Sequence, residues 1–202
     1  MTLAHWQNIY KHKNDNEVSW TQAYPISAVN YLRSIGLPKS ANIIDIGGGA
    51  SNFADVLLDL GYTNITVLDI SEAALSRSKK RLGVKADFIN WVVTDINEFQ
   101  AKTSYDFWYD RAVFHFLTEQ NQIKNYIKTI NSSVKAGGHF LLGTFSENGP
   151  KKCSGLEISQ YSENKMKNTF APSFEAEKCF QETHITPFNT NQEFQFCGFV
   201  KN

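Results

Sequence analysis

The sequence predicts an α/β fold with a doubly wound, mostly parallel sheet and helices on both faces. Three observations carry this. Short apolar runs alternate with segments of helical periodicity from residue 42 to residue 145. The first such run ends in a three-glycine turn that leads straight into a helix pattern. The last two runs are joined by only a few residues, Phe188-Asn-Thr-Asn191, which implies a C-terminal antiparallel hairpin.

Taken in order, Ser27 to Ile35 places Ala28, Val29, Leu32 and Ile35 at helical spacing and stops at Gly36. The stretch before it is polar but carries Trp6, Tyr10, Trp20 and Tyr24. Too short for a domain, it suits a lid over the sheet. Asn42–Ile46 reads as the first strand, Ser51–Leu60 as a helix closed by Gly61, and Ile65–Asp69 as the second strand. Ser71 is a good N-cap, with Glu72 in the first turn of a helix running to Leu82-Gly83. Phe88–Val93 is the third strand and Tyr105–Tyr109 the fourth. Thr118 is the expected cap of a helix over 120–134, with Ile123, Tyr126, Ile127 and Ile130 on one face. After the Ala136-Gly137-Gly138 turn, His139–Thr144 is the fifth strand, and Cys179–Pro187 and Gln192–Lys201 form the hairpin.

A chain of 202 residues makes one domain. Its expected parts are a helical lid (1–38), a cofactor-binding core (42–145), and a substrate loop with the hairpin (146–202). Acidic and basic residues balance at 20 each, so no grip on nucleic acid is indicated. No apolar run approaches bilayer-spanning length, and the opening Met-Thr-Leu-Ala-His-Trp lacks the pattern of a secretion signal. Cys153, Cys179 and Cys197 are far apart and show no metal-binding spacing. The expectation is a cytoplasmic protein with reduced thiols, no metal and no membrane partner.

Asn42-Ile-Ile-Asp-Ile-Gly-Gly-Gly-Ala-Ser51, with Asp69 ending the next strand, is the most informative pattern. An acid at the tip of the second strand can accept hydrogen bonds from a ribose. Dinucleotide sites want Gly-x-Gly-x-x-Gly, and the third glycine is missing here. Asp45 would also face a pyrophosphate, whereas a carboxylate there suits a cofactor with positive charge. S-adenosylmethionine carries an ammonium and a sulfonium and no phosphate. The Asp-x-Gly-x-Gly order followed by Asp69 resembles class I S-adenosylmethionine-dependent methyltransferases. Ser51 departs from the family where many members have glycine.

The resemblance extends over nearly the whole chain from Asn42 and implies a seven-stranded sheet. It implies S-adenosyl-L-methionine as cofactor and S-adenosyl-L-homocysteine as product, bound by Asp45, Gly47, Gly48, Gly49, Asp69, Ile70, Asp95, Ile96 and Asp110. Asp110-Arg-Ala-Val-Phe-His-Phe-Leu117 and Lys152-Cys-Ser-Gly-Leu156 are similar to bacterial proteins known only as class I methyltransferases. The opening, His5 to Tyr10 and Glu17 to Trp20, has a looser likeness to seven-stranded protein-lysine methyltransferases.

The acceptor side is expected beyond the fourth and fifth strands. Asp110, Arg111 and His115 are the candidate catalytic residues, and Trp20, Tyr24, Cys153 and Tyr161 the candidate substrate pocket. His115 has two readings, a titrating acid–base or a packed core histidine between Phe114 and Phe116. Arg111 either binds an acidic substrate or pairs with Asp110 or Glu119. No Asn-Pro-Pro-Tyr-type motif follows the fourth strand, which disfavours methylation of exocyclic base amines. A small-molecule acceptor leads. A protein lysine, a non-catalytic S-adenosylmethionine-binding module and a nicotinamide dehydrogenase remain as alternatives.

Overall fold

The computed structural model describes residues 2–202, so of the expected 1–38 segment Met1 lies outside the described residues. Its frame is one seven-stranded sheet. In chain order the elements are α1 (Leu3–His12), α2 (Ile26–Ile35), β1 (Asn42–Ile46), α3 (Phe53–Asp59), β2 (Asn64–Asp69), α4 (Glu72–Leu82) and β3 (Ile89–Val93). They continue with β4 (Tyr105–Arg111), α5 (Gln120–Ser133), β5 (Val134–Phe145), β6 (Lys152–Cys153), β7 (Leu156–Glu157), α6 (Glu163–Phe170), β8 (Phe174–Ile185) and β9 (Asn191–Lys201).

The strand order is β3-β2-β1-β4-β5-β9-β8. The first five strands run parallel, and β9 and β8 are antiparallel. The order reverses between β1 and β4, the switch point where ligands sit in open parallel sheets.

Successive strand residues face opposite sides. Phe107, Tyr109 and Leu141 therefore pack with α1, α2, α3 and α4 on one face. Trp108, Phe140 and Leu142 pack with α5 and α6 on the other. Both faces of the central strands are buried, as a parallel sheet requires.

Several local readings are corrected. Ser71 does cap α4, accepting from the Ala74 N–H at 3.2 Å, but α5 is capped by Glu119 rather than Thr118, in a reciprocal box with Gln122. β5 begins at Val134, directly after α5. The Ala136-Gly137-Gly138 segment is an irregularity inside the strand, with Gly137 at φ 70°. A tight-turn sequence has become a bulge because β4 continues to pair alongside it. The β6–β7 hairpin and α6 have no counterpart in the sequence reading. Each is too short for periodicity to stand out from loop.

The expectation of three reduced thiols is also corrected. Cys179 on β8 and Cys197 on β9 are register partners and form a disulfide, leaving Cys153 as the free, buried cysteine. They lie 18 positions apart in sequence, and only the hairpin register brings them together. No helix among the described residues is long and apolar enough to cross a membrane.

Phe140 is fully buried, with its ring 5.0 Å from Phe170 and 5.4 Å from Phe199. Phe140→Ala is expected to cost about 3–5 kcal/mol. Urea unfolding should then show a lower midpoint with an unchanged slope.

Candidate functional site

The Gly47–Gly49 turn follows β1 directly at the carboxyl edge of the sheet. Gly47 takes φ 66°, and a Cβ there would strike the Val113 side chain. A Cβ on Gly48 would run into the Asp45 carboxylate, and one on Gly49 would stand 2.6 Å from Asp69 Oδ2. The turn is thus glycine because the backbone lies directly on two acidic side chains. Gly47 and Gly48 N–H both donate to the Leu68 carbonyl, at 2.7 and 3.1 Å, which locks the turn to β2.

Asp45 pairs in register with Val67 on β2 and Tyr109 on β4. By strand alternation, Asp45, Asp69 and Arg111 therefore share one face. All three line a single cavity together with Gly47, Gly48, Ile70 and Ile96. Asp45 and Asp69 are buried. Burial lifts the Asp69 carboxyl up to about 7, against N–H bonds from Ser71 and Gly49 that favour its ionised form. Asp45 stands well above the usual carboxylate range, first through burial and then through the charges of Asp110 and Asp69. Its Oδ2 is buried without a partner. A cationic ligand group would satisfy that oxygen and relieve the repulsion, so this end of the cavity fits an ammonium-bearing cofactor.

Asp110 points to the opposite face. Its carboxylate accepts from Tyr126 Oη at 2.7 Å and from the Val113 and Phe114 N–H groups at 3.0 and 3.3 Å. Burial raises it to about 6, with those three donors pulling the other way. It is an anchor for the turn after β4 and does not reach the cavity. Joint placement of Asp110 and Arg111 at the ligand is thereby corrected, since neighbours on a strand diverge. Ala112, directly after Arg111, takes the left-handed φ of 70°, and its N–H donates to the Gly143 carbonyl at 2.9 Å.

The other end of the cavity is walled by Trp6, Tyr10, Trp20, Phe116, Arg111 and Cys153. Trp6 and Trp20 meet edge to face at 5.6 Å, and Trp20 Nε1 donates to Tyr10 Oη at 3.1 Å. α1 is docked through Gln7, whose Oε1 accepts from Ser71 Oγ and Ala73 N–H. The segment after it is tied down by Asn52, which donates to the Gln22 and Ala23 carbonyls, and by His184, 2.7 Å from the Ser19 carbonyl.

His115 does not reach this chamber. It is fully buried beside Phe116 and Phe145, and neither ring nitrogen has a partner. Burial, then the Arg111 charge, pushes it down to about 3. A titrating role near neutral pH is corrected on that ground. Tyr161 packs against Phe114 on the α5–α6 face, and Tyr24 is exposed. Asp95, expected at the cofactor, does not line the cavity: its carboxylate accepts from Asn97 N–H and Nδ2 and caps the turn after β3. Gly49 supports the floor without lining the cavity. Trp6, Tyr10, Thr94 and Phe116 belong to the cavity and were not singled out for it by the sequence as site residues. The density of aromatics before Pro25 was the available signal for the first two.

Residues 44–140 match the family described as "Methyltransferase domain". Malonyl-[acyl-carrier protein] O-methyltransferase 2 of Ilyobacter polytropus is 33% identical over 107 residues, covering 52% of this chain and 40% of that protein. Nodulation protein S of Rhizobium tropici is 25% identical over 113 residues, 56% of this chain and 47% of its own. The chain therefore spans less than half the length of these curated relatives. The solved structure of N-methyltransferase NodS from Bradyrhizobium japonicum WM9 with S-adenosyl-L-homocysteine superposes with a TM-score of 0.73 at 18% identity, covering 98% of both chains. At that identity the likeness is one of fold.

The buried acids also set a pH dependence of stability. Asp69 and Asp110 have folded-state values raised above their unfolded ones. Their contribution is full below the unfolded value near 4 and is lost as pH rises through about 6 to 7. Without ligand, the melting temperature of Asp69→Asn should fall less than wild type between pH 4.5 and 7.5. The difference should be on the order of 5 °C by calorimetry.

Proposed function

We propose that the chain is a class I S-adenosylmethionine-dependent methyltransferase that transfers a methyl group directly to a small-molecule acceptor, a reading supported by the methyltransferase-domain match over residues 44–140. The single observation carrying this is the glycine turn seated on Asp45 and Asp69, with Asp45 Oδ2 unpartnered beneath it. Asp45, Gly47 and Gly48 would hold the amino-acid end of the cofactor, Asp69 the ribose, and Ile70 and Ile96 the base. When bound, the sulfonium would supply an electrophilic methyl group with a neutral leaving group.

The chain's own residues position and exclude water. No covalent intermediate is needed, so catalysis is orientation of acceptor and donor. The segment through residue 38 acts as the lid, residues 42–145 hold the cofactor, and 146–202 complete the acceptor side. Trp6, Tyr10 and Trp20 form the roof, and Cys153 lines the same cavity. A protein lysine would need an open groove. The roof's ties to α4, to Asn52 and to His184 favour a small molecule instead. The balanced charge gives no support to a nucleic-acid acceptor.

Calorimetric titration with S-adenosyl-L-homocysteine and with NAD tests the cofactor. The first should bind and the second should not. Asp69→Ala should weaken the first by about 1–3 kcal/mol, the cost of unpaired buried donors. Affinity should rise between pH 5.5 and 8, because Asp69 accepts the ribose hydroxyls best as the carboxylate and ionises only near 7. Trp20→Ala removes the Tyr10 bond and part of the roof. Turnover should drop about tenfold or more with an unchanged far-UV circular dichroism spectrum.

A further inference from the structure

From the Arg111 side chain and the donors around it we infer that the acceptor is a carboxylic acid, held by Arg111 and methylated on a carboxylate oxygen. The inference rests on the methyl-transfer reading and names its substrate class.

Arg111 stands one pleat beyond Tyr109 on the face that carries Asp45, about 7 Å further toward the strand tip. Its guanidinium lies over the Phe194 ring at 4.4 Å, and Nη1 donates to the Trp20 carbonyl at 3.0 Å. The remaining nitrogens, Nε and Nη2, are out of solvent and have no partner. Arg111 makes no ion pair among the described residues. Glu182, whose charge reaches it, is engaged by Ser27 and Gln22. Trp6, which meets Trp20 and Phe116 edge to face, also has its indole N–H buried and unpartnered. Both side chains line the cavity.

This end of the chamber thus offers three unused donors, two of them the prongs of one positive fork. A buried cation without a counter-ion is costly, and a planar anion taking two parallel N–H bonds relieves it. Carboxylate fits that geometry.

The chemistry of the walls agrees. An amine or hydroxyl acceptor must lose a proton at this end. Burial pushes the Cys153 thiol up to about 12 and the Tyr109 hydroxyl above its usual range. His115 and His184 lie outside the cavity, Asp45 and Asp69 are under the glycine turn at the other end, and Asp15, the third acid of the lining, is paired with Arg77 at 3.3 Å. A carboxylate is already ionised at neutral pH and needs no base. In the step, a carboxylate oxygen forms the new O–C bond, the C–S bond breaks, and its electron pair goes to sulfur. No proton is transferred. The ester product is neutral and loses its ion pair with Arg111, which promotes release.

The test uses the whole chain saturated with S-adenosyl-L-homocysteine and reads the fluorescence of Trp6 and Trp20. Acetate and phenylacetate are compared with acetamide and phenylacetamide. The acids should bind at least tenfold tighter than their amides. Arg111→Gln should abolish that preference, and Arg111→Lys should restore part of it. Equal binding of acid and amide, no binding of either acid, or an undiminished preference in Arg111→Gln overturns the inference. The wild-type comparison stands even if the variants fail to fold. With a methyl-labelled donor and a small-molecule cell extract, product label should be released as volatile methanol by alkali. Label stable to alkali overturns the inference. Failure of S-adenosyl-L-homocysteine to bind would instead refute the cofactor reading.

Discussion

Asp45 and Asp69 lie side by side on one face of the sheet, at the ends of adjacent parallel strands, with the Gly47–Gly49 backbone resting on both. The rest of the site depends on this contact. Two acids held out of water repel one another and resist ionisation. The turn that covers them has room for no side chain. The fold tolerates this strain in a place where a cationic ligand group would remove it.

The same pleat that brings these acids together sends Asp110 to the other face. There it is used up by Tyr126 and two backbone N–H groups, and Trp108 Nε1 donates in turn to Tyr126 Oη at 3.0 Å. This buried chain of donors fixes the turn at 110–114, and so fixes where Arg111 and Ala112 sit. The cavity thereby acquires opposite electrostatic ends. Carboxylates stand beneath the glycine turn, and a guanidinium stands under the aromatic roof.

The roof is built from sequence-distant parts that meet only in the folded chain. Trp6 and Tyr10 come from α1, Trp20 from the segment after it, and Phe116 from the short turn after β4. His5 contacts Ser154 Oγ at 3.0 Å, so α1 is also tied to the β6–β7 hairpin. An aromatic roof held at several points excludes water from the cavity beneath it.

The sequence by itself determined the strand–helix alternation, the turn at Gly47–Gly49, and the place of Asp45 and Asp69 near the ends of the first two strands, because period, capping and turn chemistry are local. It read the rich aromatic content before Pro25 as a lid for the same reason. What it left undecided depends on which way a side chain faces and what packs across from it. His115 and Arg111 stand four residues apart, yet one is sealed among Phe116 and Phe145 while the other lines the cavity. Asp95 was legible as an acid at a strand end, but only the turn geometry directed its carboxylate to Asn97. Cys179 and Cys197 were two unrelated thiols until the β8–β9 register paired them. Only the tertiary structure decided these, because burial and partnership are set by contacts between residues far apart in the chain, which no local pattern encodes.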